Sequence, residues 1–277
     1  MSRLKISAIS YLNTAPLLWD FERGEAGANF TISYTIPSAC AEDLRAGRAD
    51  IGIIPAAAYT TVPDLVIVPD VAIAARRAVR SILLVSKMPA DLSKEQWSKQ
   101  VRTVALDTSS MTSVALTKIL FAKWLGGERD YQPMAPHLES MLKACDAALL
   151  IGDPALQVDR TRYFTLDLAE EWKTRTDKSF VFAFWAIRKA ALAGRDGAAI
   201  AQIFKQSRDH GLSPKNLEII AQDWAPRLGL TVESMRVYLT QNIYYYLDPP
   251  SLEGLELYYR LASEIGVLPT APQLQFI

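Results

Sequence analysis

Residues 50–54 read Asp-Ile-Gly-Ile-Ile, and the four positions after the aspartate carry no polar side chain. A strand with one face in water alternates apolar and polar residues. An unbroken apolar run of this length therefore belongs to a strand covered on both faces, the usual state of a parallel sheet flanked by helices. Comparable runs recur at 81–85 (SILLV), 147–151 (AALLI) and 180–187 (FVFAFWAI). Half of the 277 residues are hydrophobic, enough to bury two sizeable cores.

The rest of the chain supplies the helices such strands require. Residues 5–9 read as a strand, 10–14 (SYLNT) as a polar turn, and the next segment as a helix entered through Pro16, with Asn13 or Thr14 placed to cap it. Residues 30–36 alternate, with Phe30, Ile32, Tyr34 and Ile36 on one face, and 39–46 form a helix closed by Gly47. Strands follow at 50–54, 65–68, 71–75 and 81–85. A polar stretch at 88–100 precedes a second βα block. In it, 111–124 is a helix with Leu116, Ile119, Leu120 and Trp124 on one face, stopped by Gly126-Gly127. Strands are expected at 101–106, 131–134, 147–151, 163–166 and 180–187. Beyond Lys189 the pattern is helical, over 197–210, 214–228, 232–242 and 252–265, with an irregular tail.

Two βα blocks imply two α/β lobes. The strands at 81–85 and 180–187 bracket the second block and mark two crossings. The expectation is a two-lobed fold of the type II periplasmic-binding-protein kind, with an interlobe ligand cleft. Lobe one would comprise 1–86 plus 183–277, and lobe two 87–182.

Lys plus Arg equals Asp plus Glu at 30 each, which disfavours nucleic acid or a membrane surface as partner. No secretory leader is read at the start, and no apolar run reaches the roughly 18–20 residues of a membrane span. The expected location is cytoplasmic. Cys40 and Cys145 suit small buried hydrophobes and not a disulfide, and with only His137 and His210 no metal-ligand spacing exists. A metal site is not expected. Nothing in the sequence sets the oligomeric state.

Four polar features fall at strand ends or on a crossing: residues 10–14, Ser81, 107–113 and Gly152-Asp153-Pro154. Ligands in open α/β sheets bind outside the carboxyl ends of strands. Two of these turns feed helix N-termini rich in Ser, Thr and Asn, where free backbone N–H groups favour an anion. Ser109 or Ser110 is also a natural cap for the helix at 111, and Asp153 for its own turn. Thr14, Ser109, Ser110 and Asp153 are the candidate substrate contacts. The implied ligand is a small polyoxygenated anion, carboxylate rather than phosphate. The absence of a GxGxxG or Walker loop disfavours a nucleotide. Both histidines sit in polar helical stretches, so chemistry at this site would rest on positioning and hydrogen bonds.

The segments SYLNTAPL, ADIGIIPAA, RSILLVS, LDTSSMTSVAL, LIGDPAL, FVFAFW and LEGLELYYRLA resemble, in order and over nearly the whole chain, the chorismate dehydratases of menaquinone biosynthesis (MqnA, futalosine pathway). The resemblance implies a hydro-lyase that converts chorismate, a dicarboxylate, to 3-[(1-carboxyvinyl)oxy]benzoate and water without metal or organic cofactor. It places Asn13 and Ser81 at catalytic positions and matches Ser109 and Ser110 to ligand-binding serines. One departure is Met111, where family members often carry Arg. The base is either the substrate's own enolpyruvyl carboxylate or Asp153. Alternatives are a dihydroxynaphthoate synthase of the same pathway, a solute-binding protein that captures small anions, or a detached sensor domain.

Overall fold

The computed structural model describes residues 3–277. Its ten strands are β1 (Leu4–Ile9), β2 (Phe30–Thr35), β3 (Ile51–Pro55), β4 (Leu65–Ala75), β5 (Ile82–Ser86), β6 (Thr103–Asp107), β7 (Asp130–Met134), β8 (Ala147–Ile151), β9 (Phe164–Asp167) and β10 (Phe180–Arg188). They form two five-stranded sheets of matching design, β2-β1-β3-β10-β4 and β7-β6-β8-β5-β9. In the first, β1 runs parallel to β2 and β3, whereas β10 lies antiparallel between β3 and β4. In the second, β6 runs parallel to β7 and β8, and β5 lies antiparallel between β8 and β9. Each antiparallel strand is thus the one that has just crossed from the other lobe.

Both expected lobe boundaries shift as a result. Ile82–Ser86 belongs to the second sheet, not to lobe one, and residues 180–182 belong to the first sheet, not to lobe two. Each strand is apolar throughout, so its own pattern carries no mark of the sheet it joins. The two strands expected at 65–68 and 71–75 are one strand, β4, bent at Asp70, which has φ +64°. The tail is more ordered than expected: the amide of Ile67 donates to Gln275 O, and Ile277 N donates back to Ile67 O.

The cores follow from the apolar runs. Ile51, Ile53, Ile54 and the span from Phe180 to Ile187 are buried, and Phe21, Phe30, Trp185 and Phe204 pack in edge-on and tilted contacts within one cluster. This apolar cluster continues into the second lobe through Leu106, Leu116 and Ile119. The opposite face of the second sheet has its own cluster around Leu83, Ala148, Leu150 and Met141. Edge strand β2 departs from clean alternation, since Tyr34 and Ile36 on its expected inner face are exposed. Cys40 and Cys145 are free and buried, and the Cys40 thiol donates to Ser7 O. No helix among the described residues is long and apolar enough to cross a membrane.

The chain first crosses between lobes at 76–81. Arg80 there has φ +65°, a conformation uncommon for a residue with a side chain. The Asp167 carboxylate holds the turn by accepting from Val79 N (3.2 Å) and Arg80 N (2.7 Å). It also caps the Leu168–Thr176 helix through Ala169 N and Glu170 N. One buried carboxylate therefore fixes the backbone that presents Ser81.

Candidate active site

The two lobes meet over a small cavity lined by Tyr11 and Asn13 from the first turn, Phe182 from β10, Ser110 to Ser113 from the second lobe, and Gly152. Its volume is about 50 Å3, the space of one or two waters. Pockets for small molecules run to roughly 300–1,000 Å3, so the space as it stands is smaller than a ring-sized ligand needs. None of the described residues lining the cavity is Lys, Arg or His.

Hydrogen bonds hold the lobes together around this space. Thr112 Oγ1 donates to Phe182 O (3.1 Å) and accepts from Ala57 N (3.1 Å), and Tyr258 donates to Thr112 O (3.2 Å). Ser38 N donates to Ser109 O (3.1 Å), and Leu12 N donates to Asp153 Oδ1 (3.0 Å).

The first turn differs from its sequence reading. Leu12–Leu18 is a 3-10 segment with Pro16 inside it, and the α-helix begins only at Trp19. Neither Asn13 nor Thr14 caps it. Thr14 Oγ1 donates to Ile9 O (2.6 Å) and Tyr11 O (2.7 Å), and Thr14 lies outside the cavity lining. Its role in the structure is to shape the turn. Asn13 does face the cavity, and its Oδ1 is buried without a hydrogen-bond partner among the described residues.

The serine pair separates. Ser109 Oγ donates to Asp107 Oδ1 (2.6 Å), which also accepts from Ser109 N, while Asp107 Oδ2 accepts from Ile151 N. Burial raises the Asp107 carboxyl above its usual range, and these donors oppose that rise. Ser110 borders the cavity beside the N-terminus of the Thr112–Lys123 helix. Among the described residues the hydroxyls of Ser110 and Ser113 take no protein partner. Met111 stands on the same wall.

Gly152 has φ +64°, and a Cβ there would come within 2.6 Å of the Tyr11 ring, so only glycine allows this approach. Gly152 N donates to Ser81 O (2.8 Å), joining the third turn to the crossing strand. Asp153 follows, outside the cavity lining, and burial pushes its carboxyl up to about 6 while the Leu12 amide resists. Ser81 is fully buried, and its Oγ accepts from Tyr238 (2.8 Å).

Of the residues expected from sequence, Asn13 and Ser110 face one space, with Ser81 and Asp153 held just behind it. Ser109 and Thr14 are bound up in backbone support. Sequence reading missed Tyr238, Tyr11 and Phe182 as parts of this site. Tyr238 opens a five-residue π turn, Tyr238–Asn242, and such turns are frequent at functional sites. Both histidines are exposed and remote, and His210 pairs with Asp20.

Two α/β lobes meeting over a small cavity, largely apolar with a few polar side chains, define the class of binding-protein-like folds. Solved structures agree. The fold matches a Candida albicans protein described as having the generic periplasmic binding protein fold, at TM-score 0.70 and 12% identity over 98% of this chain and 92% of that one. It also matches the periplasmic aliphatic sulphonate binding protein of Escherichia coli, at TM-score 0.67 and 16% identity over 98% and 95%. Within that class the chain belongs to the menaquinone biosynthesis family, whose model matches residues 4–264. A Thermus thermophilus relative named chorismate dehydratase is 31% identical over 95% of this chain and 94% of its own length.

Proposed function

We propose that the protein is a chorismate dehydratase, a cytoplasmic hydro-lyase forming 3-[(1-carboxyvinyl)oxy]benzoate and water. The Thermus relative's name supports the reaction class. The observation that carries the site is the buried, unpartnered Oδ1 of Asn13 on the cavity wall. A desolvated acceptor without a donor costs about 1–3 kcal/mol, and a substrate hydroxyl is a donor that removes this cost. The free, buried thiols Cys40 and Cys145 suit a reducing compartment.

The reaction removes a proton from the ring carbon bearing the enolpyruvyl ether. That carbon is acidified through the diene by the ring carboxylate. The C–H pair becomes a ring double bond, the neighbouring hydroxyl leaves as water after receiving the abstracted proton back from the base, and the ring becomes aromatic. Aromatisation supplies the driving force, so the cleft has chiefly to hold the eliminating conformer. Asn13 accepts from the departing hydroxyl, Ser81 donates toward a carboxylate, and Ser110 with the N-terminus of the Thr112–Lys123 helix receives the other charge. Asp153 keeps Oδ1 on the Leu12 amide. We assign the base to the substrate's enolpyruvyl carboxylate, with Asp153 supporting the turn that carries Asn13.

Incubation of the purified protein with chorismate tests the reading. Loss of the diene absorbance, with a product lighter by one water and carrying an aromatic ring, is the expected result. Chorismate that binds but stays unchanged would make this a solute-binding protein.

A further inference from the structure

Tyr238 lies 1% exposed, outside the cavity lining, and donates to Ser81 Oγ at 2.8 Å. Its hydroxyl also neighbours the Asn13 amide. The segment that carries it is tied to the first crossing. Asn242 Nδ2 donates to Ala78 O (2.9 Å), and Tyr244 exchanges backbone hydrogen bonds with Ala74.

We propose that Tyr238 is a positioning residue that fixes the donor–acceptor sense of the site, with Ser81 presented as a donor and Asn13 as an acceptor. The inference rests on the chorismate reading and deepens it. A hydroxyl oxygen that accepts from a buried phenol keeps its own proton for another partner. Ser81 Oγ accepts from Tyr238, and among the described residues its O–H has no acceptor, so the proton is left for an anionic ligand. The Asn13 amide lies near the same phenol, and its Oδ1 has no hydrogen-bond partner among the described residues. Burial raises the Tyr238 phenol further above neutral pH, with Ser81 and Asn13 opposing the rise, so the group stays a donor throughout the working range. The bound molecule must offer a donor and an acceptor at separate points, as a hydroxy acid does and a simple sulphonate does not.

The test is a double-mutant cycle in the full chain, with Tyr238→Phe, Ser81→Ala and the pair. Turnover in Tyr238→Phe should fall by about tenfold or more with KM within about threefold, and Ser81→Ala should fall at least as far. Adding Tyr238→Phe to Ser81→Ala should cost less than about twofold further, because the phenol acts through Ser81. Independent, multiplying losses would overturn the proposal, as would wild-type kinetics in Tyr238→Phe. Ser81→Ala breaks the same hydrogen bond from the other side, which guards against a Tyr238→Phe chain that fails to fold. If the wild-type protein leaves chorismate untouched, the function reading fails by itself. The same cycle is then read in 3-hydroxybenzoate binding by calorimetry. Non-additive weakening would still support the positioning role, and additive weakening or none would end it.

Discussion

Replacing Asp153 with Asn separates a support role from a catalytic one. Burial lifts this carboxyl from 3.8 to about 6, roughly two units, and at 1.36 kcal/mol per unit the charged form costs the fold about 3 kcal/mol. Because the folded pKa lies above the unfolded one, the native state binds the proton more tightly. The cost is absent below pH 3.8, grows as pH rises through the interval, and is complete above about pH 6. Asn keeps an acceptor for the Leu12 amide and carries no charge at any pH. Urea unfolding midpoints of the two proteins should therefore nearly coincide at pH 3.5, and the variant should be more stable by up to about 3 kcal/mol at pH 8. Turnover should stay within about tenfold of wild type, since the base is placed on the substrate. An equal stability difference at both pH values would refute the burial argument. A folded variant slowed a thousandfold would make Asp153 the base.

Three further substitutions address the walls and the closure. Gly152→Ala forces a side chain into a left-handed position and into the Tyr11 ring; it should cost about 1–3 kcal/mol and raise KM, and a neutral effect on both would show that Tyr11 can yield. Thr112→Val removes the hydroxyl between Ala57 N and Phe182 O; it should cost about 1–3 kcal/mol and enlarge the radius of gyration in small-angle scattering, with unchanged values refuting its latch role. Met111→Arg brings a cation to a cavity with none among its described lining residues. Attraction to one carboxylate is worth about 1 kcal/mol even at the dielectric of water, so KM for a dianion should fall by about fivefold. An unchanged KM would place that side chain on the helix surface.

Local pattern carried most of the elements. The unbroken runs at β3, β8 and β10 and the capped, amphipathic helices can be read because their causes lie within a few residues. Sheet membership cannot be read that way. β5 and β10 are apolar on both faces, and the choice of neighbouring strand is made by chain passing through the opposite lobe. The site shows the same division. Asn13 and Ser110 stand in turns whose polarity also reads locally as helix capping, and both reach the cavity. Thr14 and Ser109 look equally available in sequence, but their hydroxyls bond to Ile9 O and Asp107. Tyr238 sits in a helical stretch among other aromatics, and only the tertiary contact with Ser81 distinguishes it.

The placement of β10 also bears on synthesis. All five strands of the second sheet lie within one contiguous span, from Ile82 to Asp167, whereas the first sheet lacks its link between β3 and β4 until residue 188 has been made. A growing chain can thus assemble the inserted half early, while two apolar edges of the outer half wait unpaired behind it. Unpaired edges invite association with other chains. A ribosome stalled between residues 170 and 180 should therefore hold a nascent chain that binds chaperones, and release from that dependence should coincide with emergence of the return strand.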